Sequence, residues 1–220
     1  SQEWAQRLIE ELSKLKLSLR VYFEVLPLSH AFVFGEGSEE FIREKLGVEL
    51  RDMEVIELDS LILAKNPIRI REVGFDLIAP EERLRSLISG LELITPQEFE
   101  DIRIEKGIPA IGKELREGFS PLEAGVLSYA ISLTKGCYVG QEAIARVYYR
   151  GRTPRALAKF RVKGVREGDK IKGDDRDIGI ITSVNSKGEL ALGYVLRDRM
   201  KEGEQRPCGE GSVLLLELLS

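Results

Sequence analysis

Two short stretches concentrate the side chains able to do chemistry. Residues 135–142 read Lys-Gly-Cys-Tyr-Val-Gly-Gln-Glu, so Cys137 stands among glycines that let the backbone turn tightly or approach a ligand closely. Lys135 and Arg146 favour the reactive thiolate if they lie near its sulfur, whereas burial in apolar surroundings would leave an inert thiol. Residues 103–114 gather Arg103, Glu105, Lys106, Lys113 and Glu114 around the turn-prone Gly107, Pro109 and Gly112. A carboxylate in a concave apolar site accepts hydrogen bonds from an amino-substituted heterocycle, and nearby cations suit a carboxylated tail. Ordinary helix-end salt bridges would use the same residues.

Other candidates carry less. His30 is the only histidine, which removes His-rich zinc and metalloprotease patterns, and a lone histidine between strands is more often structural. Gly35-Glu-Gly37 lacks the third glycine of a dinucleotide fingerprint and the lysine and hydroxyl of a phosphate loop, so it reads as a turn. Cys137 and Cys208 make poor evidence for a cluster or zinc site, and no metal ligands are assigned. A disulfide between them stays open. From Lys135 to Arg166 nine basic residues face the single acid Glu142, a local charge of +8 hidden inside an overall −4. With Tyr138, Tyr148 and Tyr149 as stacking surfaces, such a strip attracts a phosphate, a polycarboxylate or RNA. A solvated strand and turn is the plain alternative.

The elements that must position these groups follow from periodicity. Apolar residues Trp4, Leu8, Ile9, Leu12 and Leu15 recur at helical spacing over residues 2–15, and an alternating segment over 15–26 predicts a strand. Residues 31–37 read as a strand and turn, after which Ser38 is a candidate cap for a helix. Shorter strands are expected around 53–58, 61–63 and 68–70, then a strand ending at Pro80 and a helix after it. Thr95-Pro-Gln-Glu98 makes a strong helix start, and Ser120-Pro-Leu-Glu123 repeats the pattern. Beyond Gly151, short β-like runs separated by Gly-containing turns suit an antiparallel barrel or sandwich. The expectation is an α+β protein with one region over 1–72, a second over 73–148 and a β domain over 149–220.

A chain of 220 residues with 43% hydrophobic and 32% charged residues has the composition of a water-facing globular protein and excludes disordered and collagen-like classes. Two cysteines, no signal-peptide pattern and no apolar run of about 18 residues make the cytoplasm the default compartment, with no membrane partner.

Taken together, the segments at residues 103–109, 112–115, 121–125 and 135–142, with Arg146, resemble the YgfZ-type folate-binding proteins, which support iron–sulfur cluster assembly or repair. These are relatives of the T protein, the aminomethyltransferase of the glycine cleavage system. The resemblance is clearest over residues 69–200, and the KGCYVGQE stretch is the part specific to the YgfZ branch. It implies α+β domains and a C-terminal β-barrel around a central folate channel. It also implies tetrahydrofolate or a one-carbon-substituted folate as cofactor, and iron–sulfur client or assembly proteins as partners, with an indirect link to tRNA modification. On that resemblance Glu105 would pair with the pterin, supported by Arg103 and Glu114. Cys137 would be the chemical residue, framed by Lys135, Tyr138, Gln141, Glu142 and Arg146. Against the family the chain reads as short at its N-terminus, in the region where the T protein keeps its catalytic aspartate. The alternatives are a folate-dependent aminomethyl or one-carbon transferase, and an RNA-binding module using the basic strip.

Overall fold

The structure, a computed structural model, describes residues 2–16 and 20–219, with side chains for 5–16, 20–149 and 151–219. Helix α1 (Gln2–Leu15) forms where the 3.6-residue period demands it; the side chain of Trp4 lies outside the described residues. The strand expected over 15–26 is not found in its described part. Residues 17–19 lie outside the described residues, and 20–26 run without regular structure, with Val21, Tyr22, Val25 and Leu26 exposed. Alternation makes a strand only where a neighbour takes up its backbone N–H and C=O groups.

Strand β1 (Ser29–Phe34) pairs antiparallel with β4 (Gly74–Ala79), Ser29 opposite Ala79 and Phe34 opposite Gly74. With β2 (Val55–Leu58) and β3 (Leu61–Lys65) they make a four-stranded sheet in the order β1-β4-β3-β2, so β1 is an edge. Helices α2 (Ser38–Leu46) and α3 (Glu81–Leu87) close a core of Val33, Ile42, Leu61, Leu63, Leu77 and Leu84. The cap of α2 is Gly37, in the left-handed region at φ 83°, rather than Ser38, which is the first helical residue. Residues expected as a strand at 68–70 instead begin in a 3₁₀ turn, Pro67–Arg69, where the proline's fixed φ and missing N–H suit a first helical position.

Helix α4 (Pro96–Glu105) starts as its sequence predicts. Thr95 Oγ1 accepts from Glu98 N, and the Glu98 carboxylate accepts from Thr95 N. The matching signal at 120–123 makes the same local bond, Ser120 N to Glu123 Oε2 at 2.9 Å, but no helix continues from it. Gly125 turns left-handed at φ 72°, and the Glu123 carboxylate is also held by Arg155 at 2.9 and 3.0 Å. A single turn, α5 (Leu127–Ala130), and then α6 (Gln141–Arg150) follow.

The last third closes into a six-stranded antiparallel barrel, β10-β5-β8-β7-β6-β9. Its strands are β5 (Arg155–Lys163), β6 (Lys170–Lys172), β7 (Asp177–Val184), β8 (Leu190–Leu196), β9 (Gln205–Cys208) and β10 (Gly211–Leu218). Phe160, Ile171, Ile181, Val195 and Leu215 fill it. Strand β5 is buried on both faces: Ala158 and Phe160 point into the barrel, while Leu157 joins Ile104, Val126, Leu192 and Tyr194 outside its wall. That second cluster seats α4 and the 115–126 segment against the barrel. The α+β architecture with a C-terminal antiparallel barrel is thus the one expected.

Candidate functional site

The end of α4 is locked to the barrel by charge. Arg103, 3% exposed, gives Nη1 to Glu114 Oε2 (3.0 Å) and to the Ile108 carbonyl (3.0 Å). Its Nη2 reaches Ser183 Oγ at 2.7 Å and Glu100 Oε2 at 2.8 Å, and its Nε faces the Glu100 carboxylate at 3.0 Å. Glu114, 0% exposed, accepts from Thr182 and Ser183 hydroxyls at 2.6 Å each, from Arg103, and from the Ala110 N–H at 3.0 Å. A guanidinium has five donors and a carboxylate about four acceptor sites, so both groups are saturated. The resemblance gives Arg103 and Glu114 a supporting part beside Glu105, and both spend their hydrogen-bonding capacity within the protein, fixing the end of α4.

Glu105 is different. It ends α4 on the exposed side, and its carboxylate has no hydrogen bond or ion pair among the described residues. Only its backbone is engaged, its carbonyl accepting from Lys159 Nζ at 3.3 Å.

Two adjoining cavities open beside this helix end. One, of about 550 Å³, is walled by Pro67, Ile68, Arg71, Ile108 and Tyr129; burial pushes the Tyr129 phenol up, against the pull of Arg71. The other, of about 670 Å³, is walled by Leu122, Leu127, Tyr148, Arg152 and Arg197, and the two share Gly125, Ser128 and Leu219. Ile108 ties the first cavity to the 103–114 stretch, and Tyr148 ties the second to α6. Neither Glu105 nor Cys137 is part of these walls. Sequence reasoning missed Arg71, Tyr129, Arg152 and Arg197 as wall residues. Their spacing carries no signal, because four separate segments deliver them.

Cys137 is an exposed free thiol, so no disulfide joins it to Cys208. Cys208 sits inside the barrel, and burial pushes its thiol up to about 11, as befits an inert packing residue. Around Cys137 the contacts are local. Lys135 Nζ lies 4.8 Å from the centroid of the Tyr138 ring, Tyr138 N donates to Gln141 Oε1 at 3.3 Å, and Arg146 pairs with Glu142 at 2.7 Å one helical turn away. Among the described residues no hydrogen bond or ion pair joins this group to Glu105.

The basic strip is carried by two elements, and on β5 its residues Arg155, Lys159, Arg161 and Lys163 alternate with buried ones and so share the outward face. It runs along α6 into β5, where Arg155 is tied to Glu123 and Lys159 lies 3.6 Å from Glu217. His30 serves a different centre, its Nε2 lying 2.7 Å from Asp76 Oδ1, with Asn66 at 2.7 Å and Arg69 at 2.9 Å completing the shell. Burial pushes the Asp76 carboxyl up, but the hydrogen bonds from His30 and Asn66 and the Arg69 charge together bring it below the usual carboxylate range. Among the described residues no group of three or more histidine, cysteine or acidic side chains is arranged to hold a metal, and no helix is long and apolar enough to cross a membrane.

No protein-family model matches the chain. It is 30% identical over 185 residues to an uncharacterized protein of Haemophilus influenzae, covering 78% of this chain and 64% of that protein. It is 27% identical over 192 residues to an aminomethyltransferase of Alkaliphilus oremlandii, covering 78% and 52% respectively. Among solved structures it matches the glycine cleavage system aminomethyltransferase T of Bartonella henselae with a TM-score of 0.81 at 19% identity, over 96% of this chain and 64% of that one. The chain therefore shares the fold of that aminomethyltransferase and is homologous to aminomethyltransferases, while spanning less than two thirds of the length of each of these proteins.

Proposed function

We propose that the protein binds tetrahydrofolate or a one-carbon-substituted folate beside the end of α4, and that it supports assembly or repair of iron–sulfur clusters in client enzymes, with an indirect effect on tRNA modification. The observation that carries the folate reading is the contrast between neighbours. Arg103 and Glu114 are consumed by the strut, which leaves Glu105 as an unpartnered acceptor on a fixed helix end. A pterin presents adjacent N–H donors, which a carboxylate accepts as a pair. The cavities next to that helix end, whose first wall residue after Glu105 is Ile108, offer apolar surface with Tyr129 to the rest of the molecule, and Arg71 and Arg152 offer cations to a carboxylated tail. In kind, the residues present fit the group. In this reading residues 1–72 and 73–148 are two parts of one folate-binding region and 149–220 the barrel that braces it.

Glu105→Gln keeps the size and removes the charge. Tetrahydrofolate affinity by titration calorimetry is expected to fall about tenfold or more, as for loss of a hydrogen bond to a charged group worth roughly 1.5–3 kcal/mol; equal affinities would reject the assignment.

The maintenance role rests on Cys137, whose thiol is exposed in the loop that also carries Lys135 and Tyr138 and that leads into α6 with Gln141, Glu142 and Arg146. Cys137→Ser is expected to retain folate affinity while cells carrying it lose activity of iron–sulfur enzymes. Unchanged client activity would remove the thiol from the mechanism. The similarity to aminomethyltransferases favours a second reading, a folate-dependent aminomethyl or one-carbon transferase. Production of methylene-tetrahydrofolate from an aminomethyl donor would select it. The RNA-binding alternative would use the basic strip of α6 and β5; salt-dependent tRNA binding without folate binding would select it.

A further inference from the structure

The edge strand β1 and the segment just before it are each unfinished. Among the described residues β1 pairs with β4 alone, and a groove of about 630 Å³ is bounded by His30–Phe34, Phe41 and Leu91–Ile94. A long apolar edge with no proline or lysine is a template for another strand. On the groove wall Ser38 Oγ is buried without a hydrogen-bond partner. Immediately upstream, residues 20–26, Arg-Val-Tyr-Phe-Glu-Val-Leu, have strand composition and no strand partner among the described residues, with Tyr22 85% and Val25 63% exposed.

The arm cannot fold back on its own β1. Only Pro27 and Leu28 separate them, and a two-residue hairpin requires a turn with φ above zero, which proline does not adopt. Instead the Leu26 carbonyl accepts from Leu28 N at 2.8 Å in a three-residue turn centred on Pro27, aiming the arm elsewhere. Proline accommodates an extended backbone equally well.

We propose that residues 20–26 of one copy of this chain add as a strand to the β1 edge of a second copy, reciprocally, in a symmetric dimer. Opening the turn at Pro27 makes residues 20–34 one long strand, and two such strands run antiparallel about a twofold axis at Pro27–Leu28. That register sets Phe23 opposite Phe32, Val21 opposite Phe34 and Val25 opposite His30, extending the apolar ladder in which the Phe32 and Phe34 rings stack at 5.4 Å. It also sets Arg20 opposite Gly35, beside the acid Glu36 that rims the groove, so the charges at the end of the added strand are complementary. Both copies give and receive the same element, as twofold closure requires.

Light scattering coupled to size exclusion tests this on the chain as it stands. The expected mass is twice 24.7 kDa, falling to the single value on dilution. Val25→Asp in the arm and Leu93→Asp in the groove, where Leu93 is 77% exposed, alter side chains that already face solvent in one copy and line neither folate cavity. Each is expected to give a monomer with unchanged circular dichroism and folate affinity. An unsubstituted chain that is monomeric at every concentration, or a dimer that survives either substitution, would overturn the proposal and leave the groove to a different polypeptide.

Discussion

Residues 100–114 and 135–150 use nearly the same alphabet of arginine, lysine, glutamate and glycine, and the fold gives them opposite fates. In the first, Arg103 and Glu114 are taken out of water and every donor and acceptor finds a partner, including two hydroxyls about 70 and 80 residues away along the chain. In the second, the pairs Glu142–Arg146 and Lys135–Tyr138 lie within one helical turn or loop, at or near the surface. A buried pair couples strongly but leaves nothing for a ligand, whereas an exposed one contributes little to stability and keeps its chemistry available. Charge density in a sequence is therefore no guide to a binding role until burial is known. Glu105, two residues from Arg103, shows how sharply that boundary falls.

The largest test of this contrast is Glu114→Ala, which takes the fully buried carboxylate from Arg103 Nη1 and from the Thr182 and Ser183 hydroxyls and leaves Glu100 as the one acid on the guanidinium. Urea unfolding is expected to show a loss of about 3–5 kcal/mol; a change near zero would mean that the strut does not brace the barrel. Next comes acid sensitivity. Burial pushes the Glu100 carboxyl up, but the hydrogen bond and charge of Arg103, then those of Lys113, bring it below its ordinary value. A carboxyl lowered on folding contributes stability that is fully present above its unfolded value of about 4.3 and is lost as pH falls through the lower folded one. Unfolding measured from pH 6 to pH 2 is expected to show a shallower acid loss in Glu100→Gln than in the parent. An identical acid limb would separate Glu100 from the strut. In the exposed stretch, Glu142→Ala removes one pair at helical spacing and is expected to cost about 0.3–0.5 kcal/mol. The smallest stability effect belongs to Cys137→Ser, within about 0.5 kcal/mol, since the thiol is solvent-facing. A loss several times larger would recast that cysteine as a packing residue.

Short-range signals were legible before any coordinates. The Thr95–Glu98 capping box, the stop of β4 at Pro80, the helical stripe of α1 and the main barrel strands are all encoded in residues within a few positions of each other, where backbone geometry fixes who meets whom. The same signal at Ser120–Glu123 stops at one turn because Arg155, 32 residues away, holds the carboxylate and Gly125 reverses the backbone. Helix α6 was hidden inside a stretch read for its charge. The alternation over 20–26 was visible, but a strand also needs a neighbour to pair with, and among the described residues none pairs with it.

The site divides the same way. The roles proposed for Glu105 and Cys137 rest on the motifs around them, whose features are local in sequence: a helix end, a glycine turn, a nearby lysine. The saturation of Arg103 and Glu114, the assembly of Arg71, Tyr129 and Arg152 around adjoining cavities, and the inertness of Cys208 depend on which distant segments the closed barrel brings against α4. Residue type sets what a side chain can do within its own turn of chain, but whether it keeps water, a partner or a ligand depends on contacts made across tens of residues, and those arise only as the core closes.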